Sequence, residues 1–460
     1  MGAELITAQA LMSHVSFLCA PAQRGRMPGD VGYERASQFV EQQFQAMGLQ
    51  PLGDNGTYRQ TFFMETNRVM SARLEARLPG HGPWRARLGD DFVCRGLTGG
   101  GHASGKLTFV GYGTTDGPVD ELANVDLRGR VAVAFKYPPP WQNGEQPLPR
   151  ERARLLRERG ARALILVPNP NRDQPDRLGA SLMERGEQIP GMPVLVASES
   201  AARCLCVNGG ETLAARQWQI DERHIPASGP LAGSARIAVE TEWNGQGACW
   251  NVIGLLPGTD PVLRQEAIVL GAHLDHVGIQ GESVIFAGAQ DNASGVAALI
   301  EAARALREGP ALARSVIFVA FGAEEAGILG SRHYADHPPW PLERTKFMLN
   351  ADCIGAGTGL DLRGRKHHPA LLELADRYNA EQVKLPNAKN NHGAGGADAE
   401  PFQQAGIPNI YFMTTLPFQH LHMASDTPET LNPPVFQGLA QLFSIMADRL
   451  ATEPDLGAAD

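Results

Sequence analysis

Two hydrophobic patterns alternate along the second half of the chain. Short continuous apolar runs, such as Ala267–Leu270 and Val316–Phe321, predict buried strands. Other segments, such as Val296–Leu306 and Val435–Leu450, consist of helix-forming residues with an apolar face. Strands that alternate with helices are typical of α/β proteins. The pattern therefore predicts an α/β sandwich with a largely parallel sheet.

Two stretches rich in Gly, Pro and Ser divide the chain. Thr98–Gly105 and Pro226–Ser234 have the composition of linkers, and the region between them has its own short strands and a charged helix. A length of 460 residues also favours more than one domain. We predict a discontinuous main domain at residues 1–100 and 235–460, interrupted by a smaller β-rich domain at residues 101–234.

The composition argues against several classes of protein. Lys and Arg number 41 against 50 Asp and Glu, which gives a formal net charge of −9 without a basic stripe. Nucleic acid and anionic membrane surfaces are therefore not expected partners. No apolar run approaches the ~20 residues of a membrane helix, and we expect no signal peptide at the start. A mature exported chain would begin in the same way, so the compartment is not predicted. The sequence does not predict the oligomeric state either.

Side chains of the types that bind metals follow the predicted strands. Because the carboxyl ends of parallel strands meet at one edge of a sheet, we expect these side chains to converge there. In chain order they are His273 with Asp275, Asp291, the pair Glu324 and Glu325, Asp352, and His422.

Two imidazoles and three carboxylates are a ligand set that suits a pair of zinc ions with one bridging carboxylate. Two such ions ~3.5–4 Å apart activate water and stabilise a carbonyl oxygen as it becomes anionic. A further carboxylate must carry the proton, so Glu324 and Glu325 supply one base and one ligand. Asp275 is placed to accept the second N–H of His273 and fix its tautomer.

Each motif alone has a purely structural interpretation. A His-x-Asp pair is commonly found at a surface or a helix cap, adjacent glutamates commonly lie on a solvated face, and Asp291 begins a segment that suits the start of a helix. Their occurrence in order, each after a buried strand, favours the metal site.

These residues resemble the di-zinc aminopeptidases of metallopeptidase family 28. Similar segments extend over nearly the whole chain and include Asn251–Gly254, Gly406–Pro408 and the metal-type motifs. The resemblance implies a three-layer α/β sandwich with a mostly parallel central sheet. The inserted region resembles a protease-associated domain, most clearly at Asn124–Val131.

The resemblance also implies how the ligands are shared between two Zn²⁺ ions per chain. One zinc would be held by His273, Asp291 and Asp352, and the other by Asp291, Glu325 and His422, with Asp291 bridging.

Further implications concern the reaction. Glu324 would act as general base and acid in removing N-terminal residues from peptides or proteins. Many members have Tyr before the last histidine, where its hydroxyl stabilises the oxyanion, but this chain has Leu421, which cannot donate a hydrogen bond. Either His420 or another group replaces it, or this stabilisation of the oxyanion is missing. Asp398 occupies the place of an Asp in the substrate-side loop of relatives, and we assign it no role.

Other functions remain open at this point. A carboxypeptidase, a dipeptidase or a single-zinc glutaminyl cyclase would use the same fold, and a receptor-like ectodomain would keep the fold without catalysis. The five ligands argue for two metals, and therefore against the cyclase and the receptor. The sequence predicts neither the preferred side chain nor the metal used in the cell.

Overall fold

The computed structural model describes residues 2–80, 82–115, 117–141, 149–171, 177–183, 186–206, 211–390, 392–393 and 396–453. The chain forms two compact units. The first comprises Met1–Met64, Gln246–Gly278 and Ile285–Asp460, and the second comprises Glu65–Gly245 with Ile279–Val284.

The helices and strands of the described residues are numbered in chain order. The α-helices are α1 (Ala8–Leu18), α2 (Val31–Ala46), α3 (Pro149–Glu158), α4 (Glu199–Leu205), α5 (Leu213–Arg223), α6 (Ser294–Glu308), α7 (Leu329–Asp336), α8 (Pro369–Tyr378), α9 (Ala399–Gln404) and α10 (Pro433–Thr452). The strands are β1 (Gln50–Pro51), β2 (Arg59–Arg77), β3 (Pro83–Arg85), β4 (Phe92–Cys94), β5 (Gly101–Phe109), β6 (Val131–Phe135), β7 (Ala163–Val167), β8 (Val194–Ala197), β9 (Gly229–Leu256), β10 (Ala267–His273), β11 (Ile279–Gln280), β12 (Val284–Ile285), β13 (Ser315–Phe321), β14 (Thr345–Ala351), β15 (Leu360–Arg363) and β16 (Asn409–Thr414). No helix in this part of the chain is long and apolar enough to cross a lipid bilayer.

The sheet of the first unit has the strand order β15-β16-β14-β10-β13-β9. Strands β16, β14, β10 and β13 are parallel to their neighbours in this group. The outer strands β15 and β9 are antiparallel to β16 and β13. Every residue of β10 and β13 is buried, as expected of central strands covered on both faces. The predicted mostly parallel central sheet is confirmed.

Helices cover both faces of this sheet and form the outer layers. On one face, Phe318 of β13 packs near Phe44 of α2, with the two ring centroids 6.2 Å apart. On the other face, Val319 shares a hydrophobic core with Tyr334 of α7 and Phe402 of α9. Successive side chains of a strand point to opposite faces, so β13 contributes to both cores. The predicted three-layer sandwich is therefore confirmed.

The second unit is built around the strand order β5-β6-β7-β8-β4. Strands β5, β6, β7 and β8 are parallel to one another, and β4 is antiparallel to β8. Helices α3, α4 and α5 belong to this unit. Its assignment as a protease-associated domain stays a prediction.

The compact units divide the chain at other positions than the boundaries predicted at residues 100/101 and 234/235, and those domain boundaries stay a prediction. The second unit extends from Glu65 to Gly245, because the long strands β2 and β9 have residues in both units. The first supposed linker runs into β5, where Gly101 pairs with Val239 and Gly105 with Ala235. Glycines are common in linkers, but they also occur in strands where another backbone approaches closely.

A buried arginine connects the loop before α2 to two segments that flank the sheet edge. The guanidinium of Arg26 donates hydrogen bonds to the carbonyl oxygens of Leu18, Leu274, Ala287 and Gly288 at 2.9, 2.9, 2.6 and 2.9 Å. Leu274 directly follows β10, and Gly288 precedes the turn that begins α6. Arg26 therefore positions both segments.

Replacing Arg26 tests this connection. Arg26→Met removes the donors and leaves buried carbonyl oxygens without them, so the free energy of unfolding should fall by about 3 kcal/mol. Urea unfolding followed by fluorescence measures the change. The matched control is Arg35→Met, which removes an exposed hydrogen bond to the carbonyl of Ala22. Equal effects of both substitutions would show that burial of Arg26 adds nothing.

Candidate metal centre

The carboxyl ends of the central strands deliver the predicted site residues to one edge of the sheet. His273 is the last residue of β10, Glu324 and Glu325 follow β13, and Asp352 follows β14. The two further predicted ligands, Asp291 before α6 and His422 after β16, approach the same edge from loops. The structure brings all of these side chains together at this edge.

The first group of ligand atoms centres on His273, which is 1% exposed. Its Nε2 lies 3.2 Å from Asp291 Oδ1 and 3.3 Å from Asp352 Oδ1. Its Nδ1 lies 3.2 Å from the backbone carbonyl oxygen of Asp275. Because a carbonyl only accepts hydrogen bonds, Nδ1 carries the proton and Nε2 presents its lone pair to two carboxylate oxygens. A cation between these three atoms satisfies them all.

The second group uses the other oxygen of the same aspartate. His422 Nε2 lies 3.0 Å from Asp291 Oδ2 and 3.1 Å from Glu325 Oε2. Asp291 thus turns Oδ1 toward one group and Oδ2 toward the other, as a carboxylate that bridges two metal ions does.

The donor atoms and their spacing fit zinc. Zinc is held by imidazole nitrogen and carboxylate oxygen at about 2.0–2.2 Å, so neighbouring tetrahedral ligand atoms lie about 3.3–3.6 Å apart. The measured separations within the two groups are 3.0–3.3 Å. The residues of the two groups could therefore hold two zinc ions.

The electrostatics of the site favour a cation. Burial alone disfavours a charged imidazole, but the carboxylates of Glu324 and Asp352 outweigh it and raise the pKa of His273 well above its usual value. Burial likewise opposes ionisation of Asp291, yet its contacts with His273 and His422 hold its pKa well below the usual range. Positive charge is therefore attracted to this edge of the sheet from several sides.

Asp275 has a different contact from the one predicted. Its carboxylate Oδ1 lies 3.8 Å from His273 Nδ1, beyond hydrogen-bond distance, and its backbone oxygen takes that proton instead. The carboxylate accepts the backbone N–H groups of Glu324 and Glu325 at 3.0 and 3.2 Å. Burial raises the pKa of Asp275 to about 6. Spacing in the sequence could not show which oxygen of Asp275 would face His273.

Glu324 and Glu325 have opposite environments. Burial raises the pKa of Glu324 well above its usual value, and its Oε2 is 4.0 Å from His273 Nε2. Burial also acts on Glu325, but His422 outweighs it and lowers the pKa of Glu325 to about 2. Glu325 therefore suits a ligand, and Glu324 suits a group that carries a proton.

A protein-family model matches the part of the chain that contains these residues. Residues 251–446 match the model of Peptidase family M28. The chain carries an M28 peptidase domain. All seven predicted site residues lie within the matched range. Apart from Ile279–Val284, the matched residues belong to the first compact unit.

The M28 domain has relatives among curated proteins. Aminopeptidase YwaD of Bacillus subtilis strain 168 is 30% identical over 168 residues, which are 35% of this chain and 35% of that protein. Leupeptin-inactivating enzyme 1 of Streptomyces exfoliatus is 34% identical over 163 residues, 35% of this chain and 34% of that protein. Leucine aminopeptidase 1 of Ajellomyces dermatitidis is 27% identical over 234 residues, 47% of this chain and 59% of that protein. The chain thus spans about a third to three fifths of the relatives it matches.

Solved structures resemble the whole chain. The aminopeptidase from Aneurinibacillus sp. strain AM-1 has a TM-score of 0.67 at 22% identity, covering 99% of this chain and 96% of that one. BSAP, a zinc aminopeptidase from Bacillus subtilis, has a TM-score of 0.64 at 19% identity, covering 99% and 97%. At these identities the likeness concerns the fold.

Three further residues, to which the sequence assigned no role, contact the predicted ligands or their backbone. His276 Nδ1 lies 2.7 Å from Glu325 Oε1. The Tyr411 hydroxyl donates to Asp352 Oδ2 at 2.9 Å. Asp426 accepts the backbone N–H groups of Gln290 and Asp291 at 2.9 and 3.2 Å. Tyr411 belongs to an apolar strand and His276 to a loop, so neither showed a separate signal, whereas Asp426 follows the His422 motif closely.

His420 is the first candidate to replace the hydroxyl that Leu421 cannot supply. His420 Nδ1 lies 2.9 Å from Ser425 Oγ, so this ring nitrogen is already hydrogen-bonded. Tyr411 brings a phenol to the M28 site from β16, but that phenol is bonded to a ligand carboxylate. Asp398 is fully buried, and burial raises its pKa to about 7; it has no role in the ligand groups described above.

Removal of the shared carboxylate tests the bridging geometry. Asp291→Ala takes one ligand atom from each group, so we expect zinc retained after dialysis to fall from about two ions per chain toward none. Metal content by mass spectrometry measures the loss, with exposed Asp336→Ala as the control. One tightly held zinc in Asp291→Ala would contradict the bridge.

Proposed function

We propose that this chain is a two-zinc exopeptidase that removes N-terminal residues from peptides. The observation that carries the proposal is the bridging position of Asp291 between two imidazole–carboxylate groups, with Glu324 beside them. The names of the relatives point the same way, since they include aminopeptidases and a zinc aminopeptidase.

Zinc bound at these residues would supply Lewis acidity, which makes water a stronger acid and draws electron density from a carbonyl oxygen. Glu324 takes the proton from the attacking water and passes it to the nitrogen of the leaving peptide. Its raised pKa suits both halves of this transfer, because the group must accept a proton and release it again.

Neighbouring residues hold Glu324 and the ligands in place. Asp275 binds the backbone N–H groups of both glutamates, which orients the base and a ligand together. Tyr411 donates to Asp352, and burial raises the pKa of Tyr411 well above its usual value, so it stays a donor.

Glu324→Gln tests the identity of the base. The amide keeps the shape of the side chain but cannot accept and return the proton, so kcat should fall by about 10²–10⁴ or more. Zinc content should stay near that of the unchanged protein. Exposed Glu343→Gln serves as the control, and retained turnover in Glu324→Gln would remove Glu324 from the role of base.

A peptide panel tests the direction of cleavage. Short peptides with free or acetylated N-termini are incubated with the zinc-loaded protein, and released residues are identified by mass spectrometry. We expect release of the N-terminal residue from free peptides only. Release of the C-terminal residue from acetylated peptides would instead establish a carboxypeptidase. The same panel would define the N-terminal side chain that the protein prefers.

A further inference from the structure

A third imidazole lies beside the second ligand group. His276 is fully buried, with Nδ1 2.7 Å from Glu325 Oε1 and 3.9 Å from Asp291 Oδ2. These three residues could themselves hold a metal ion, because each offers a ligand atom within 4.8 Å of the others. His276 is therefore either an additional ligand or a hydrogen-bond donor to Glu325.

The other nitrogen of the ring distinguishes the two roles. Nε2 of His276 is buried and has no hydrogen-bond partner among the described residues. A ring that binds a metal through Nδ1 carries its proton on Nε2, and ligating histidines almost always donate that proton to a partner. An orphaned buried N–H is rare in native proteins. If the proton is on Nδ1, no buried N–H group is left without a partner. The 2.7 Å between Nδ1 and Glu325 Oε1 also matches a hydrogen bond to a charged carboxylate.

The ring is fixed by close packing. It stands edge-on to the ring of His422, with centroids 5.6 Å apart and an interplanar angle of 78°. On another side lies Gly288, where a Cβ atom would come within 2.6 Å of His276 Cγ and Cδ2. The backbone N–H of His276 donates to the carbonyl of Arg26 at 3.3 Å. Nδ1 is thereby held toward Glu325.

We propose that His276 is a positioning residue that donates its Nδ1–H to Glu325 and does not bind the metal. This inference rests on the proposed two-zinc function. Glu325 Oε1 is occupied by His276, so Oε2 alone faces His422 and the metal position. The backbone of Glu325 is held by Asp275. Both ends of the ligand are therefore fixed.

The consequence concerns the number of ligands. With His276 as a donor, the second position has one atom each from Asp291, Glu325 and His422. Catalytic zinc sites keep three protein ligands and leave a position for water or substrate, whereas four ligands close a structural site. The tautomer of His276 therefore keeps the second position open.

Two substitutions separate a donor from a ligand. His276→Asn keeps an N–H near the place of Nδ1–H, and His276→Leu has none. Zinc affinity is measured by competition with a chromophoric chelator, and the coordination of Co²⁺ by its visible absorption. We expect the zinc affinity of His276→Asn to stay within about threefold of that of the unchanged protein. We expect His276→Leu to bind zinc at the second position about 10–100-fold less tightly, because this is the usual cost of losing a hydrogen-bond partner of a ligand. Exposed His337→Asn is the control.

Two results would overturn the proposal. Equal loss of the second metal in the Asn and Leu variants, matching a His422→Asn reference, would make His276 a ligand. Unchanged metal affinity in His276→Leu would show that the hydrogen bond positions nothing.

The tautomer is also measured directly on the zinc-loaded full chain, which covers the case in which His276→Leu does not fold. Nitrogen NMR of histidine-labelled protein, assigned with the Asn variant, should show a proton on Nδ1 and none on Nε2 of His276. A proton on Nε2 would refute the proposal. None of these readouts uses peptide hydrolysis, so a chain that binds zinc as described but cleaves no peptide would sink the proposed function and leave this inference standing.

Discussion

The carboxylate of Asp291 faces two imidazoles at once, and the rest of the site depends on this contact. Its two oxygens lie 3.2 Å from His273 Nε2 and 3.0 Å from His422 Nε2. A buried carboxylate is stable only when positive charge or hydrogen-bond donors surround it. The further carboxylates of Asp352 and Glu325 increase the negative charge instead of balancing it. The two zinc ions of the proposed function would neutralise this group, so the residues that are costly to bury together are also suited to hold metal.

A second set of residues holds the predicted metal ligands in position. Asp275 and Asp426 accept backbone N–H groups, so each fixes a loop that bears ligands without occupying a metal position. Tyr411 donates a hydrogen bond directly to the side chain of Asp352. The positively charged guanidinium of Arg26 donates to backbone carbonyl oxygens of the loops. These partners come from elements far apart in the chain, and the ligand positions are therefore a property of the assembled unit. Loss of an outer partner of this kind typically lowers the metal affinity of a site by about 10–100-fold.

The sequence predicted the fold of the first unit and the approach of its ligands because both follow from local patterns. His273 and Asp352 stand at the ends of apolar runs, and parallel strands bring such ends together. The contacts of Asp275, His276 and Tyr411 were not predictable, since they depend on side-chain and backbone directions across distant segments. The sequence did not reveal that the glycine-rich residues 101–105 form a paired strand, because pairing partners are not visible in local composition.

The two adjacent glutamates show how an environment assigns roles to identical side chains. Glu325 faces His422 and is fixed by a second imidazole, so attraction outweighs burial and lowers its pKa to about 2. Glu324 has only a longer approach to His273, so burial and neighbouring carboxylates raise its pKa. A pair of titratable groups whose pKa values are driven apart is a typical sign of divided acid–base roles. Asp275 accepts the backbone N–H groups of both glutamates, and this contact helps to hold each side chain toward its own neighbours.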